Sequence, residues 1–572
     1  MRIMKLNLFT AVFLLYIIGG CTSGHSVPGK EDDSMNIVTS DSGMVVTAHP
    51  AGSVTGIEIL RRGGNAIDAA VATGFALAVC YPEAGNIGGG GFMIVREADG
   101  RTDMIDYREK APAAAKPEMF LNDSGNVVPG LSTGTCLAAG VPGTVDGLLS
   151  IHSKYGLLSL KDVIQPAIDL ARKGFPVTEG QAADLNNNRE NFIRRNRRLP
   201  AFVKDTPWTK GDTLRQPELA ATLERIRDMG REGFYSGMTA RMIINEMKRG
   251  NGLISTDDLA NYTSEFRDPL RGEYRGYSII TASPPSGGGV ILLQVLGMIE
   301  AYDLAGMGFH SSEMVHLIAE AERRAFADRS EFLGDPGFNK IPLTELLSDE
   351  YLSGRMESFN PDSASPSSSI LPGNPLFREG DQTTHYSIAD RWGNAVSVTT
   401  TLNETFGSSI VADSAGFLLN NEMDDFSVKP GVPNMFGLTG GSANSAEPGK
   451  RMLSSMTPVI VEREGRLFLI AGSPGGSTIP TSVLQVLVNV MDFGMDIGKA
   501  VDAGRFHHQW LPDQISYESE GLPAQTVEKL VRKGHKMSGR KTIGRVNAIM
   551  IKPDGKMAGG PDRRGNNCAK GY

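Results

Sequence analysis

The sequence predicts an α/β protein, and three observations carry that reading. Toward the N-terminal side, strand-like and helix-like runs alternate around glycine-rich turns. From about residue 140 to 350 the pattern is mainly helical. Directly after a polar stretch at 360–381 the character changes to Val/Thr-rich strand. At about 100 to 200 residues per domain, 572 residues allow roughly three domains or one large interlocked unit. A 40% hydrophobic chain has a globular composition, not a disordered one. Its formal net charge of −8, with no long basic block, gives no electrostatic footprint for nucleic acid. Glycine is in excess, with 68 residues and no collagen-like period, which marks tight turns and close backbone approaches.

The elements follow in order. Arg2 and Lys5 precede an apolar run at 6–18, the length of a secretory signal and too short for a comfortable membrane span. The run closes on Ile18-Gly19-Gly20-Cys21, which resembles a bacterial lipoprotein lipobox; an ordinary signal peptide cut near Gly20 is the alternative. Residues 1–20 are therefore expected to be a signal peptide and 21–36 a flexible tether. The protein is then exported to the periplasm or cell envelope and lipid-anchored at Cys21. Cys80, Cys136 and Cys568 form no C-x-x-C pair, so neither a zinc site nor a disulfide framework is expected. Cys80 and Cys136 read as buried, Cys568 as a free thiol.

Residues 45–48 read as a strand and 50–62 as a helix ending at Gly63-Gly64. Asn65 caps the next helix, 66–79, which is apolar on nearly every face and so belongs inside. A glycine-rich turn at 81–91 ends in Gly88-Gly89-Gly90-Gly91 and leads into a strand at 92–96. No Gly-Lys-Ser/Thr follows it, so the run favours tight packing over phosphate cradling. Within the helical region, the charged segments 189–198 and 320–329 are expected to be solvated faces. Residues 360–381 read as an exposed linker or long loop.

Beyond that linker, residues 384–388, a turn at 390–394 and residues 395–402 make a hairpin. If the turn centres on Trp392, Thr383 faces Thr401 across the strands and Asn403 follows on the same face. On composition alone, these threonines are cross-strand pairs with β propensity. His507-His508 could suggest a metal or a base, but adjacent strand residues point apart, and the pair reads as structural.

The segment Asp381-Gln382-Thr383-Thr384-His385-Tyr386-Ser387 closely resembles the processing site of the γ-glutamyltranspeptidases. Other segments resemble that family too: 88–93, Asp106-Tyr107-Arg108-Glu109, Thr401-Leu402-Asn403, 420–426, Leu453-Ser454-Ser455-Met456, 472–477 and 505–510. The resemblance runs from about residue 36 to Tyr572. It implies an N-terminal-nucleophile hydrolase fold, a four-layer αββα sandwich in one interlocked unit. It implies self-cleavage between Gln382 and Thr383 into a large subunit, 37–382, and a small catalytic subunit, 383–572. Thr383 would be the nucleophile, its new α-amino group the base, Thr401 a hydrogen-bond partner, and Gly475 and Gly476 the oxyanion donors. Arg108, Ser454 and Ser455 would hold the substrate α-carboxylate; Asn403, Glu422 and Asp425 its ammonium.

The implied activity is hydrolysis or transfer of γ-glutamyl groups from glutathione and related compounds to water, an amino acid or a peptide. No metal or organic cofactor is implied. An acylase of the same fold acting on glutaryl-type amides is the alternative; a surface lipoprotein that binds glutamyl peptides without turnover is a third reading. Two departures from the family pattern stand out. Phe436, in the lid segment 430–441, occupies a position where many bacterial members have a tyrosine, and the stretch 562–570 is atypical.

Overall fold

The computed structural model describes residues 37–371, 383–427, 429 and 441–572. Asn36–Tyr572 forms one compact unit, built on two seven-stranded sheets. In spatial order, the first runs Val38–Ser40, Met557–Pro561, Asn547–Ile551, Arg466–Gly472, Val459–Arg463, Tyr277–Thr281, Leu270–Tyr274. The second runs Cys568–Gly571, Met44–Thr47, Thr384–Ala389, Ala395–Thr401, Gly90–Arg96, Thr102–Asp106, Glu265–Arg267.

The sheets face one another through a small apolar cluster that includes Val46 and Ile94 on one side and Ile460 and Ile470 on the other. Polar clips cross the same gap. Ser397 Oγ donates to Ala471 O at 3.2 Å and accepts from Val459 N at 3.0 Å, and Asn547 Nδ2 donates to His385 O at 2.9 Å. Helices Pro50–Arg61 and Ala66–Cys80 cover the outer face of the second sheet. Gly287–Ile299, Ser312–Phe332 and Thr478–Met491 cover the first. The result is helix, sheet, sheet, helix: the four-layer αββα sandwich.

Helix Ala66–Cys80 shows why local sequence settles on this structure. Asn65 Oδ1 accepts from the Ile67 and Asp68 amides while Asp68 reaches back to the Asn65 amide, a complete capping box. All of its residues are buried, so its lack of a polar face is met by packing on every side. Strand Gly90–Arg96 begins inside the glycine run because backbone passes within contact of backbone there. A Cβ on Gly89 would sit 2.1 Å from Thr401 O, and one on Gly91 2.4 Å from Thr399 O.

The middle region is mainly helical, as expected, and also contains the strands Glu265–Arg267, Leu270–Tyr274 and Tyr277–Thr281, which extend both sheets. One expectation fails. Residues 320–329 are not a solvated face; they lie within helix Ser312–Phe332 and are buried throughout. Their charges are matched internally. Glu320 takes Arg324 Nη1 at 2.7 Å and Arg323 Nε at 3.3 Å, and Asp328 takes Arg355 at 3.0 Å. Segment 189–198 does behave as a largely solvated face, with Phe192 turned in.

The polar stretch ending at 371 is mostly exposed, yet Ser367 is clasped by its neighbours. Its Oγ donates to Trp510 O at 2.5 Å, its amide donates to Asp513, and Trp510 Nε1 donates to Ser367 O at 2.9 Å. Residues on both sides of 372–382 share each large core: Val45 with Tyr386 and Leu419 in one, Ile279 with Val459 and Ala548 in the other. Cys80, Cys136 and Cys568 are all free thiols, the first two buried. No helix among the described residues is long and apolar enough to cross a membrane.

Candidate active site

The hairpin has the register inferred from its turn. Thr384 pairs with Thr400 and His385 with Thr399, so one step further Thr383 lies opposite Thr401. Alternation then assigns faces. His385 and Ser387 turn into the gap between the sheets, where His385 hydrogen-bonds Thr399 Oγ1 at 2.9 Å and Ser387 Oγ at 3.0 Å. Tyr386 turns the other way, toward the buried helix, close enough that a Cβ on Gly74 would meet its hydroxyl at 2.8 Å. Thr383, two residues before His385, is buried and falls on the same face of the hairpin. Burial lowers the His385 pKa to about 3, so this imidazole is neutral and serves as a hydrogen-bond bridge.

Across from it, Thr401 Oγ1 accepts a hydrogen bond from Asn403 N at 2.8 Å, which fixes the hydroxyl oxygen. Asn403 leaves the strand in the left-handed region, φ +78°, a conformation asparagine tolerates better than most residues. Its Nδ2 donates to Asn421 O at 3.0 Å, which ties the hairpin end to the acidic turn Glu422–Asp425.

Gly475 and Gly476 occupy the turn between strand Arg466–Gly472 and helix Thr478–Met491. Both have positive φ, +134° and +55°, and a Cβ on Gly475 would lie 2.4 Å from Thr478 Oγ1. Their carbonyls are engaged by Thr478 N at 3.0 Å and Ile479 N at 3.1 Å. Neither amide N–H finds an acceptor among the described residues. The turn also leaves the strand beside His385, where a Cβ on Gly472 would sit 2.3 Å from the imidazole.

Arg108, two residues beyond strand Thr102–Asp106, is completely buried. Its Nη1 donates to Glu422 Oε2 at 2.6 Å and to Glu109 Oε2 at 3.3 Å, and its Nη2 pairs with Asp425. Nε and Nη2 also reach Met452 O and Leu453 O at 3.4 Å, which brings the arginine against the Ser454-Ser455 segment. Burial disfavours the guanidinium charge, but Glu422, Glu109 and Asp425 outweigh it and hold Arg108 firmly protonated. Burial also pushes all three carboxyls upward against the pull of Arg108: Glu109 to about 7, Glu422 well above its ordinary range, and Asp425 in the same direction. One cation among three acids cannot keep all of them ionised.

Ser454 is held by the loop before helix Gly287–Ile299. Its amide donates to Pro285 O at 2.9 Å, and its carbonyl accepts from Gly287 N at 2.7 Å. Glycine is needed there, since a Cβ on Gly288 would meet Ser455 O at 2.4 Å. Arg329, from the buried helix Ser312–Phe332, donates to Ser455 Oγ at 3.4 Å, and its charge also acts on Asp425. Sequence reading missed Glu109, Arg329 and the 283–289 loop as site components. The Pro284-Pro285 pair followed by three glycines was the available signal for the loop; nothing local marks Arg329. Gln382, Phe436 and Cys21 lie outside the described residues.

Among the described residues, His316, Glu320 and His535 form a buried group of metal-ligand type. Their atoms are already engaged: His316 Nδ1 and His535 Nε2 hydrogen-bond each other at 2.7 Å, and Glu320 is shared by two arginines. That chemistry fits a structural network. His507 and His508 are likewise buried, His507 bonding Thr481 Oγ1 at 2.9 Å, and burial lowers their pKa values to about 3 and 4.

The Gamma-glutamyltranspeptidase family model matches residues 52–572. The glutathione hydrolase proenzyme of Escherichia coli (strain K12) is 45% identical over 564 residues, 97% of each chain. Among solved structures, cephalosporin acylase from Bacillus halodurans superposes with TM-score 0.82 at 26% identity, covering 97% of this chain and 99% of that one. Helicobacter pylori γ-glutamyltranspeptidase gives TM-score 0.56 at 45% identity, covering 57% of this chain and 94% of that one. With its sandwich fold, its threonine-led hairpin and a family match over most of its length, this chain belongs to the γ-glutamyltranspeptidase family.

Proposed function

We propose that the protein is a self-processing γ-glutamyl hydrolase and transferase acting on glutathione and related γ-glutamyl compounds. The observation that carries this reading is Arg108 buried between Glu422 and Asp425, beside Ser454 and Ser455. A γ-glutamyl group carries a free α-carboxylate and a free α-ammonium on one carbon. Such a zwitterion can insert into the Arg108–carboxylate pairs: its carboxylate takes the guanidinium with help from the serine hydroxyls, and its ammonium takes the released acids and Asn403.

In the precursor, Thr383 Oγ attacks the Gln382 carbonyl, and water resolves the resulting ester, leaving 37–382 and 383–572 as the two subunits. Cleavage converts the Thr383 amide into an α-amine with an ordinary pKa near 8, which is partly neutral at neutral pH and accepts the hydroxyl proton. The alkoxide oxygen adds to the γ-carbonyl, and the developing oxyanion meets the unengaged amides of Gly475 and Gly476 at a helix N-terminus. Collapse expels the amine of the leaving group, which takes the proton, and leaves a γ-glutamyl ester on Thr383. Water or an acceptor amine then attacks that ester. Thr401, whose oxygen accepts from Asn403 N, lies opposite Thr383 across the hairpin and would orient its hydroxyl.

Gly475→Ala is expected to lower kcat by about 10²-fold with a smaller change in KM. The new Cβ would press on Thr478 in a backbone conformation that alanine resists, displacing the oxyanion donors. Steady-state kinetics on a γ-glutamyl anilide measure this.

The Glu109 carboxyl predicts a pH effect. Raised to about 7, it is neutral below that pH, so the site loses negative charge and ammonium binding weakens as pH falls through 7. Donor kcat/KM already falls with the protonation of the Thr383 amine; it is expected to fall more steeply through pH 7 because of Glu109, and Glu109→Gln should remove that added steepness and leave the single-proton limb of the amine. The same shift means that ionising Glu109 works against the fold, increasingly from its ordinary pKa of 4.5 up to about 7 and fully above it.

The decisive comparison is turnover of a γ-glutamyl amide against a glutaryl amide, which lacks the α-ammonium and would leave Glu422 and Asp425 without a partner. A preference for the γ-glutamyl amide of at least about 10²-fold is expected; equal or better glutaryl turnover would favour the acylase reading. The apolar run before Ile18-Gly19-Gly20-Cys21 supports residues 1–20 as a signal peptide and 21–36 as a tether, with anchoring at Cys21 in the cell envelope. Phe436, lacking a phenolic hydroxyl, cannot close the pocket with a hydrogen bond, which favours transfer to water.

A further inference from the structure

Segment 189–198 holds five arginines against one acid, in a chain whose formal net charge is −8. Little in the fold neutralises them. Arg189 takes Glu190, that one acid, at 3.5 Å, and Arg198 lies 3.8 Å from Asp413. Arg194, Arg195 and Arg197 have no carboxylate within ion-pair distance among the described residues. Arg194 donates to Asn191 Oδ1 at 3.1 Å and Arg195 to Ser408 O at 2.8 Å, while Arg197 has no partner among the described residues. Glu404 acts on Arg195 through its charge alone.

These cations are displayed from a stiff base. Phe192 and Phe202 stack in the core with ring centroids 5.2 Å apart. Asn196 Nδ2 donates to Phe192 O at 3.0 Å and to Ser409 O at 2.8 Å, and its Oδ1 accepts from Val411 N at 2.7 Å. Pro200 is buried. The chain between these two anchors, Arg197-Arg198-Leu199, therefore has both ends held and all three side chains in solvent. Leu199 is 64% exposed, and Ile193, on the last turn of helix Arg189–Arg195, is 36% exposed. Apolar side chains thus stand among unneutralised arginines on one short stretch of surface.

We propose that this face docks on an anionic bilayer, with Arg194, Arg195, Arg197 and Arg198 among the lipid phosphates and Leu199 and Ile193 entering the boundary between headgroups and acyl chains. A soluble polyanion would meet the cations and leave the two apolar side chains in water, whereas a bilayer takes both. A negative lipid surface strengthens binding by about fivefold for each basic side chain close to it. The attraction fades over about 8 Å at physiological ionic strength, so a local basic face is drawn in although the whole chain is acidic. The surface requires neither the γ-glutamyl reading nor a lipid at Cys21.

Sedimentation of the full-length chain with vesicles of phosphatidylcholine, alone or mixed with phosphatidylglycerol, tests this. The apolar run at 6–18 can enter either vesicle, so the readout is the ratio of the two affinities. At low salt a preference of at least about 10²-fold for the anionic vesicles is expected, shrinking at high salt. A chain carrying Arg194→Gln and Arg197→Gln should lose at least about tenfold of that preference with its melting temperature unchanged, since both side chains are exposed. Arg197→Glu, a reversal at a position with no partner among the described residues, should cost more than Arg197→Gln alone. Absence of any preference for anionic vesicles overturns the proposal. So does a preference that survives these substitutions, which would belong to Arg2 and Lys5. Leu199→Ser is expected to weaken binding to anionic vesicles by about threefold or more; a Leu199→Ser chain that binds them as well as the parent overturns the bilayer in favour of a soluble polyanion such as polyphosphate.

Discussion

Thr383→Ala is expected to leave one uncut chain on a denaturing gel and to lower release from a γ-glutamyl anilide by at least about 10⁴-fold. Both effects follow from one atom. In the proposed mechanism the hydroxyl of Thr383 attacks the preceding carbonyl in the uncut precursor and accepts the γ-glutamyl moiety in the mature enzyme. The closest titratable side chain on its own strand, His385, has both ring nitrogens committed to Thr399 and Ser387 and is held neutral by burial. Thr383→Ser keeps the hydroxyl and should still cut. An alanine variant that separated into two fragments would sink the proposed mechanism.

The second large effect is expected at Arg108. Arg108→Ala removes the one cation among the described residues that touches Glu422, Glu109 and Asp425 together. Breaking a buried ion pair from one side costs about 3 to 5 kcal/mol, and here the loss is partly offset because the abandoned carboxyls take up protons. That offset has a sign. With their pKa values pushed further up, the carboxyls resist ionising in the fold, so the melting temperature deficit should be small near pH 4.5 and grow as pH rises. Arg108→Lys keeps a charge but not two parallel donors, and should raise donor KM by about 10²-fold while largely restoring stability. A lysine variant with unchanged donor KM would remove Arg108 from the carboxylate clamp.

What the sequence revealed was local. The hairpin register follows from a five-residue turn with strong strand patterns on either side. The buried helix Ala66–Cys80 follows from a good cap and an unbroken apolar run. The glycine run proved to be a site of backbone contact, as its chemistry suggested. What stayed hidden depends on partners far away in the chain. Residues 320–329 have the composition of a wet surface, and only the arrival of Arg355 and Asp513, with pairing inside the helix itself, makes their burial tolerable. The strands at 265–281 are short, and sheet pairing rather than propensity defines them. Arg329 reaches the site from the last turn of its helix, and no motif surrounds it. The acidic turn is legible as a set of acceptors, but its pairing with Arg108, more than 300 residues away in the chain, is not.

Each large core draws side chains from both sides of 372–382, and the buried clasp of Ser367 by Trp510 and Asp513 does the same. Before the cut, losing this structure is a unimolecular event. Afterwards the same event turns one particle into two, so the apparent melting temperature acquires a dependence on protein concentration, and refolding becomes a search for a partner. A nick that leaves both shared cores in place therefore makes recovery from unfolding hardest in dilute solution.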